Sequence, residues 1–138
     1  MRVMVLVKAT EETERGVLPT TEEFAEMGAY NEQLINAGIM LAGDGLKPTV
    51  HGKRVRFDAD AKTVLDGPFT ETKELVAGYW LWEVASMDEA VEWLKRAPFR
   101  DSEVELRKIL DMDDFGDFAA EITAAEERSR AETAAARS

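Results

Sequence analysis

Gly78-Tyr79-Trp80-Leu81-Trp82-Glu83-Val84, with Ser86-Met87-Asp88-Glu89 close behind, sets a strand against the start of a helix. Aromatic and branched residues fill the first segment, as in strands. Ser86-x-x-Glu89 is a capping box, in which side chains and backbone amides satisfy one another at a helix N-terminus. Ala90, Val91, Trp93, Leu94 and Ala97 then share a face, Lys95 and Arg96 occupy the last turn, and Pro98 lies just beyond, so the spacing predicts a helix over 87–96. Further on, Val104, Leu106, Lys108 and Leu110 alternate with Glu103, Glu105, Arg107 and Ile109, which predicts a closing strand with one face largely apolar and the other charged.

Upstream, Arg2-Val3-Met4-Val5-Leu6-Val7-Lys8 is a Val-rich run expected near the centre of a sheet, buried on both faces. Thr20-x-x-Glu23 is another capping box; Phe24, Met27, Asn31, Leu34 and Ile35 recur at helical spacing, and Gly38 suits a left-handed C-terminal cap, giving a helix over 21–37. Ile39–Ala42 reads as a strand entering Gly43-Asp44-Gly45, and Thr49–Asp58 with Lys62–Leu65 read as further extended segments around turns at His51-Gly52 and Ala59-Asp60-Ala61. The order is β-α-β-β-α-β with an extra hairpin in the middle.

The chain has 138 residues, 45% of them hydrophobic, which suits one domain with its own core. Its 28 acidic and 17 basic residues give a formal charge of -11, which repels a phosphate backbone, so no direct nucleic-acid partner is expected. The absence of Cys excludes disulfides and thiolate chemistry, the single His excludes sites needing two imidazoles, and no metal or cofactor is expected. Apolar runs fall far short of the roughly 18 residues that span a bilayer. Met1-Arg2 leads directly into a strand, so a cytoplasmic protein without membrane association is expected.

The expected domain covers residues 1–112, and 113–138 form an acidic extension. Phe115, Phe118, Ala119 and Ile122 fall at helical spacing, so a helix capped by Asp113 or Asp114 is expected to dock on its own core or on a partner subunit. Beyond Thr123 the tail is Ala, Glu and Arg with no face to bury.

Asp66-Gly67-Pro68-Phe69-Thr70-Glu71-Thr72-Lys73-Glu74 concentrates a turn and an acid–base–acid cluster. Asp66 has two readings. In one it holds its own turn, with Pro68 fixing a dihedral and Phe69 plugging the core. In the other it is a general base, with Glu71 or Lys73 setting its protonation. His51 is an ordinary turn residue, or a titrating group if folded over a pocket. No dinucleotide-binding, nucleophile-elbow or calcium-loop pattern accompanies these residues.

The Asp66-Gly67-Pro68-Phe69 and Glu71-Thr72-Lys73-Glu74 runs, followed by Gly78-Tyr79 opening an aromatic strand, resemble the DGPF group of the YCII-related family. Arg2–Leu6, Gly43-Asp44-Gly45-Leu46-Lys47-Pro48, Asp88-Glu89-Ala90 and Val104-Glu105-Leu106-Arg107 follow in the order that family shows. The resemblance covers about residues 1–110 and implies a ferredoxin-like α+β domain pairing into a dimeric α/β barrel. It also implies small-molecule binding with acid/base chemistry that needs no cofactor: some relatives carry a proposed His–Asp dyad, and one branch resembles enzymes of chlorinated hydroquinones and muconolactone-type rings. Here the His is His51, in the hairpin, beside Asp66 and Glu71 as catalytic candidates. The alternative is an interaction or sensing module, because the DGPF group is often encoded beside extracytoplasmic-function sigma factors.

With strands 78–84 and 103–110 flanking strand 2–8, Tyr79, Leu81, Glu83, Glu105 and Arg107 share the face away from the helices. Glu83, Glu105 and Arg107 then either form ion pairs in a homodimer interface or line a polar pocket where Arg107 orients an anion. Lys73, Tyr79, Glu83 and Arg107 are the candidate substrate-binding residues.

Overall fold

Val3 and Val5 are fully shut off from solvent in β1 (Arg2–Lys8), while Met4 and Leu6, pointing the other way, are half-buried. The structure, a computed structural model, describes residues 1–137. After β1 come a short helix α1 (Glu11–Glu14), the long helix α2 (Thr21–Asn36), and strands β2 (Met40–Gly45), β3 (Lys53–Asp58), β4 (Ala61–Asp66) and β5 (Val76–Glu83). Helix α3 (Met87–Lys95), strand β6 (Val104–Lys108) and helix α4 (Ala119–Arg137) complete the chain, with 3-10 turns at Thr49–His51, Thr72–Glu74 and Met112–Phe118. These residues form two compact units, Met1–Lys108 and one beginning at Ile109.

The first unit is a mixed α+β arrangement. Its antiparallel sheet has the order β2-β5-β1-β6, and β3 and β4 form a separate two-stranded ribbon. Val5 lies opposite Trp80 on one side and Leu106 on the other, which puts β1 inside the sheet. Alternate residues Val3, Val5, Trp80 and Trp82 meet Tyr30 and Leu34 of α2 and Ala90 of α3, so the core lies on one face of the sheet. Trp80 meets Tyr30 edge-on, with ring centroids 5.8 Å apart, and the Tyr30 hydroxyl donates to the Trp93 carbonyl at 2.6 Å. The opposite face carries half-buried Met4, Leu6, Tyr79 and Leu81 with Glu105 and the exposed Arg107.

Of the two expected capping boxes the first closes in both directions, whereas at α3 the Glu89 carboxylate accepts from the Ala85 amide at 2.8 Å and not from that of Ser86. The Thr20 hydroxyl accepts from the Glu23 amide while Glu23 accepts from the Thr20 amide, and Ser86 accepts from Glu89. Gly38 adopts a left-handed φ of 72° at the end of α2, as its position suggested.

Several boundaries differ. The buried face of α2 is centred on Tyr30 and Leu34, whereas Phe24 and Ile35 are exposed. Strand β2 begins at Met40 and runs on through Gly43-Asp44-Gly45, since Gly43 lets the Trp80 ring pass where a side chain would lie: an added Cβ would sit 2.6 Å from Trp80 Cδ1. The expected His51-Gly52 turn is a 3-10 turn that begins at Thr49, where extended chain was expected.

In the second unit the expected helix does not start at Asp113 or Asp114. Asp111 caps a 3-10 turn, Gly116 takes φ 58° and ψ -129°, and the α-helix begins only at Ala119. Residues 124–137 are helical and exposed; Ser138 of the expected tail lies outside the described residues. No helix among the described residues is long and apolar enough to cross a membrane.

Candidate functional site

Where β2 and β5 run side by side, Gly43, Gly45 and Gly78 carry no side chains: the Trp80 ring fills the place at Gly43, β2 backbone lies close at Gly78, and the place at Gly45 is open. The resulting cleft of about 240 Å³ is lined by Val7, Met27, Met40, Trp80 and Phe99, with Asn31 of α2 as its polar side chain on the helix wall. Trp80 Nε1 donates to Asn31 Oδ1 at 2.9 Å, which fixes the amide orientation and commits its oxygen, leaving the Nδ2 hydrogens as donors for a ligand. Asp44 and Tyr79 also border the cleft, but strand alternation turns the Tyr79 side chain away from the Trp80 face. There the Tyr79 hydroxyl donates to Asp44 Oδ2 at 2.9 Å, and that bond to a carboxylate raises the phenol pKa and keeps it protonated. Phe99 meets Trp80 edge-on, at 6.0 Å between centroids.

The candidate residues fall into separate places. Asp66 closes β4 and pairs with Lys53, its partner across the ribbon, in an exposed ion pair. His51 is exposed at the end of the Thr49–His51 turn. Neither lines the cleft beside Asn31. Glu71 and Lys73 instead line a polar cleft of about 970 Å³ together with Lys8, Arg100, Asp101 and Glu103. Glu83 is bonded to the N-terminal ammonium at 3.3 Å. On the open sheet face Glu105 receives Lys8 at 3.1 Å and Arg107 at 3.4 Å; the Lys8 bond is the main reason the Glu105 carboxyl sits below its ordinary pKa. Among the described residues, no cluster of His, Asp or Glu could hold a metal ion.

The Asp66–Phe69 corner is a clamp. An added Cβ at Gly67 would lie 1.7 Å from the Thr49 carbonyl oxygen, so the two chain segments touch backbone to backbone there. The Gly67 amide donates to Gly52 O at 3.0 Å, the Phe69 amide donates to Thr49 Oγ1 at 3.0 Å, and Thr49 Oγ1 donates in turn to Glu14 Oε2 at 2.6 Å. Arg54 stacks 3.8 Å over the Phe69 ring.

Sequence reasoning missed Asn31 and Phe99 as site residues. Asn31 had a readable signal, a lone amide in an otherwise apolar helical stripe. Phe99 follows Pro98 outside any periodic segment and gave none.

Comparison with known proteins adds three findings. An uncharacterized protein of Rhizobium meliloti (strain 1021) is 34% identical over 70 residues, 51% of this chain and 56% of that protein, so the match spans little more than half of the relative's length. A solved structure, a 5-chloro-2-hydroxyhydroquinone dehydrochlorinase from Burkholderia phenoliruptrix AC1100 in complex with 2,5-dihydroxybenzoquinone, is similar at 18% identity. It covers 83% of this chain and 99% of that chain with a TM-score of 0.40. The family model of the YCII-related domain matches residues 1–113, the whole sheet and both helices that pack on it, and the chain therefore belongs to the YCII-related family.

Proposed function

We propose that the protein is a homodimer that binds a small ring compound bearing an oxygen acceptor in the cleft between α2 and the glycine-lined edge of the sheet. The observation that carries this reading is the pairing of Asn31 with Trp80. A buried aromatic wall gives stacking area, and one oriented amide supplies the polar contact that fixes direction, the usual make-up of a small-molecule site. The volume of about 240 Å³ suits a single ring of the hydroquinone or ring-lactone class. Order β2-β5-β1-β6 with two helices on one face supports a ferredoxin-like domain. The half-buried Met4, Leu6, Tyr79 and Leu81 on the other face, with the Lys8–Glu105–Arg107 pairs among them, support two sheets closing into a dimeric α/β barrel.

A second reading, cofactor-free proton transfer, has its own observation: Glu71 and Lys73 share the polar cleft with Lys8 and Arg100, where an anionic substrate would find cations beside a carboxylate. Asp66 and His51 lie outside both clefts and enter neither reading.

An amide-resolved NMR titration with pooled hydroquinones and ring lactones separates the readings. Shifts clustered at Met27, Asn31, Gly43, Gly78 and Phe99, weakened about tenfold in affinity by Asn31→Ala, are expected from the loss of one oriented hydrogen bond. Shifts confined to Glu71–Lys73 and Arg100 favour the proton-transfer cleft, and silence at both favours an interaction module.

A further inference from the structure

The ribbon formed by β3 and β4 is exposed along nearly its whole length, and a two-stranded ribbon on its own is marginally stable in water. Its register puts Val55 opposite Val64 and Phe57 opposite Lys62, so one face presents Val55, Phe57 and Val64 with Lys62 and the Lys53–Asp66 ion pair on the same side. Phe57 is 70% exposed and Val64 61%. Four cations and three carboxylates fall within residues 53–66, so the ribbon is slightly basic in a chain of net charge -11. Its root is held by the Gly67, Phe69 and Arg54 contacts described above, which fix where the ribbon points.

The same unit carries a surface of matching character. A groove of about 710 Å³ between the α1–α2 loop, α2 and Phe99 is lined by Val17, Leu18 and Phe24, with the carboxylates Glu12 and Glu23 beside them. Leu18 is 84% exposed and Phe24 72%. Ribbon and groove are thus both apolar surfaces that lack cover, one flanked by Lys62 and the other by glutamates.

We propose that the β3–β4 ribbon is an arm that lies in this groove of a second copy of the chain, with Phe57 among Val17, Leu18 and Phe24 and with Lys62 facing Glu12 and Glu23. In a two-fold dimer each copy gives one arm and receives one, so both uncovered surfaces are satisfied by one operation. The groove shares Met27, Asn31, Gly45 and Phe99 with the smaller ligand cleft, so the partner's arm would form one wall of that site. The Asp66–Phe69 corner, on this view, aims the arm. The proposal rests on the dimer reading above and assigns its contacts.

The chain contains no Cys, so single thiols can be placed without background. Differently tagged Phe57→Cys and Leu18→Cys chains are co-expressed and treated with a short bis-maleimide, and the mass of the unmutated protein is measured by light scattering. A covalent heterodimer carrying both tags, absent when either variant is treated alone, is the expected result. Phe57→Asp should then shift the protein from dimer to monomer mass with its circular dichroism unchanged. An unmutated protein that is monomeric at micromolar concentration overturns the dimer reading and the arm with it. A dimeric protein that forms no mixed cross-link, and stays dimeric with Phe57→Asp, overturns the arm alone and leaves the sheet face as the interface.

Discussion

Gly67 shows how one residue type can be forced by its neighbours. The constraint is proximity, since the Thr49 carbonyl occupies the space where any Cβ would be. Gly67→Ala must push the Thr49–Gly52 turn away from the corner, breaking the Gly67-to-Gly52 and Phe69-to-Thr49 hydrogen bonds and loosening Glu14. The expected loss is about 3 kcal/mol or more, from overpacking combined with orphaned backbone groups. Urea denaturation of the variant checks it. A loss below about 1 kcal/mol would mean that the turn yields freely and that the corner does not clamp the ribbon. Asp66, by contrast, is an exposed partner of Lys53, and its removal should change stability by less than about 1 kcal/mol, the range of surface ion pairs.

Between elements, the Tyr30 hydroxyl ties α2 to the last turn of α3 through the Trp93 carbonyl, as the Asn31–Trp80 bond ties α2 to β5, in a core held mainly by apolar contact. Burial pushes the Tyr30 phenol up to about 12, because the ionised form would lose its water. The folded pKa is raised above the ordinary 10, so this contribution is intact below pH 10 and is lost as pH rises from there through about 12. Tyr30→Phe should cost about 1 kcal/mol near neutrality by removing this bond, since the Trp93 carbonyl keeps the Arg96 amide at 3.1 Å, and its stability should fall less steeply than the parent's between pH 10 and 12. Parallel alkaline slopes would show that Tyr30 titrates as an exposed phenol. The same elements show what a sequence can disclose. Both helix starts and the aromatic strand were legible because capping boxes and Trp80–Trp82 alternation are local patterns. The rotation of α2 was not, since Phe24 and Tyr30 are both apolar enough to be core and only the position of the sheet decides between them. The cleft was legible only in fragments: Asn31 stood out in the helix, but its bond to Trp80 spans 49 residues and depends on Gly43 giving room to the ring. The Asp66–Phe69 corner drew attention as an acid/base candidate because its residue types suit both chemistry and turns. Its contacts to Thr49, Gly52 and Arg54 become visible only when the ribbon is folded back.

For the whole molecule, the unit beginning at Ile109 raises the question of what an acidic tail contributes. Residues 124–137 are exposed throughout, helical by propensity and by pairs such as Arg130 with Glu126 at 3.4 Å. Over residues 124–138 three glutamates are matched by three arginines, so deleting the stretch leaves the net charge at -11 and does not alter long-range repulsion. Among the described residues of the stretch no apolar side chain is buried, and no net charge is lost. Thermal unfolding by calorimetry should therefore give the same Tm, within about 2 °C, for the full chain and for one ending at Thr123. A larger fall that grows with protein concentration would mean that the tail helix packs on a second copy, since only an intermolecular contact makes Tm depend on concentration. A larger fall independent of concentration would place its contact within the same chain. If Tm is unchanged but the mass in solution falls by more than the deleted residues account for, the tail acts on association alone.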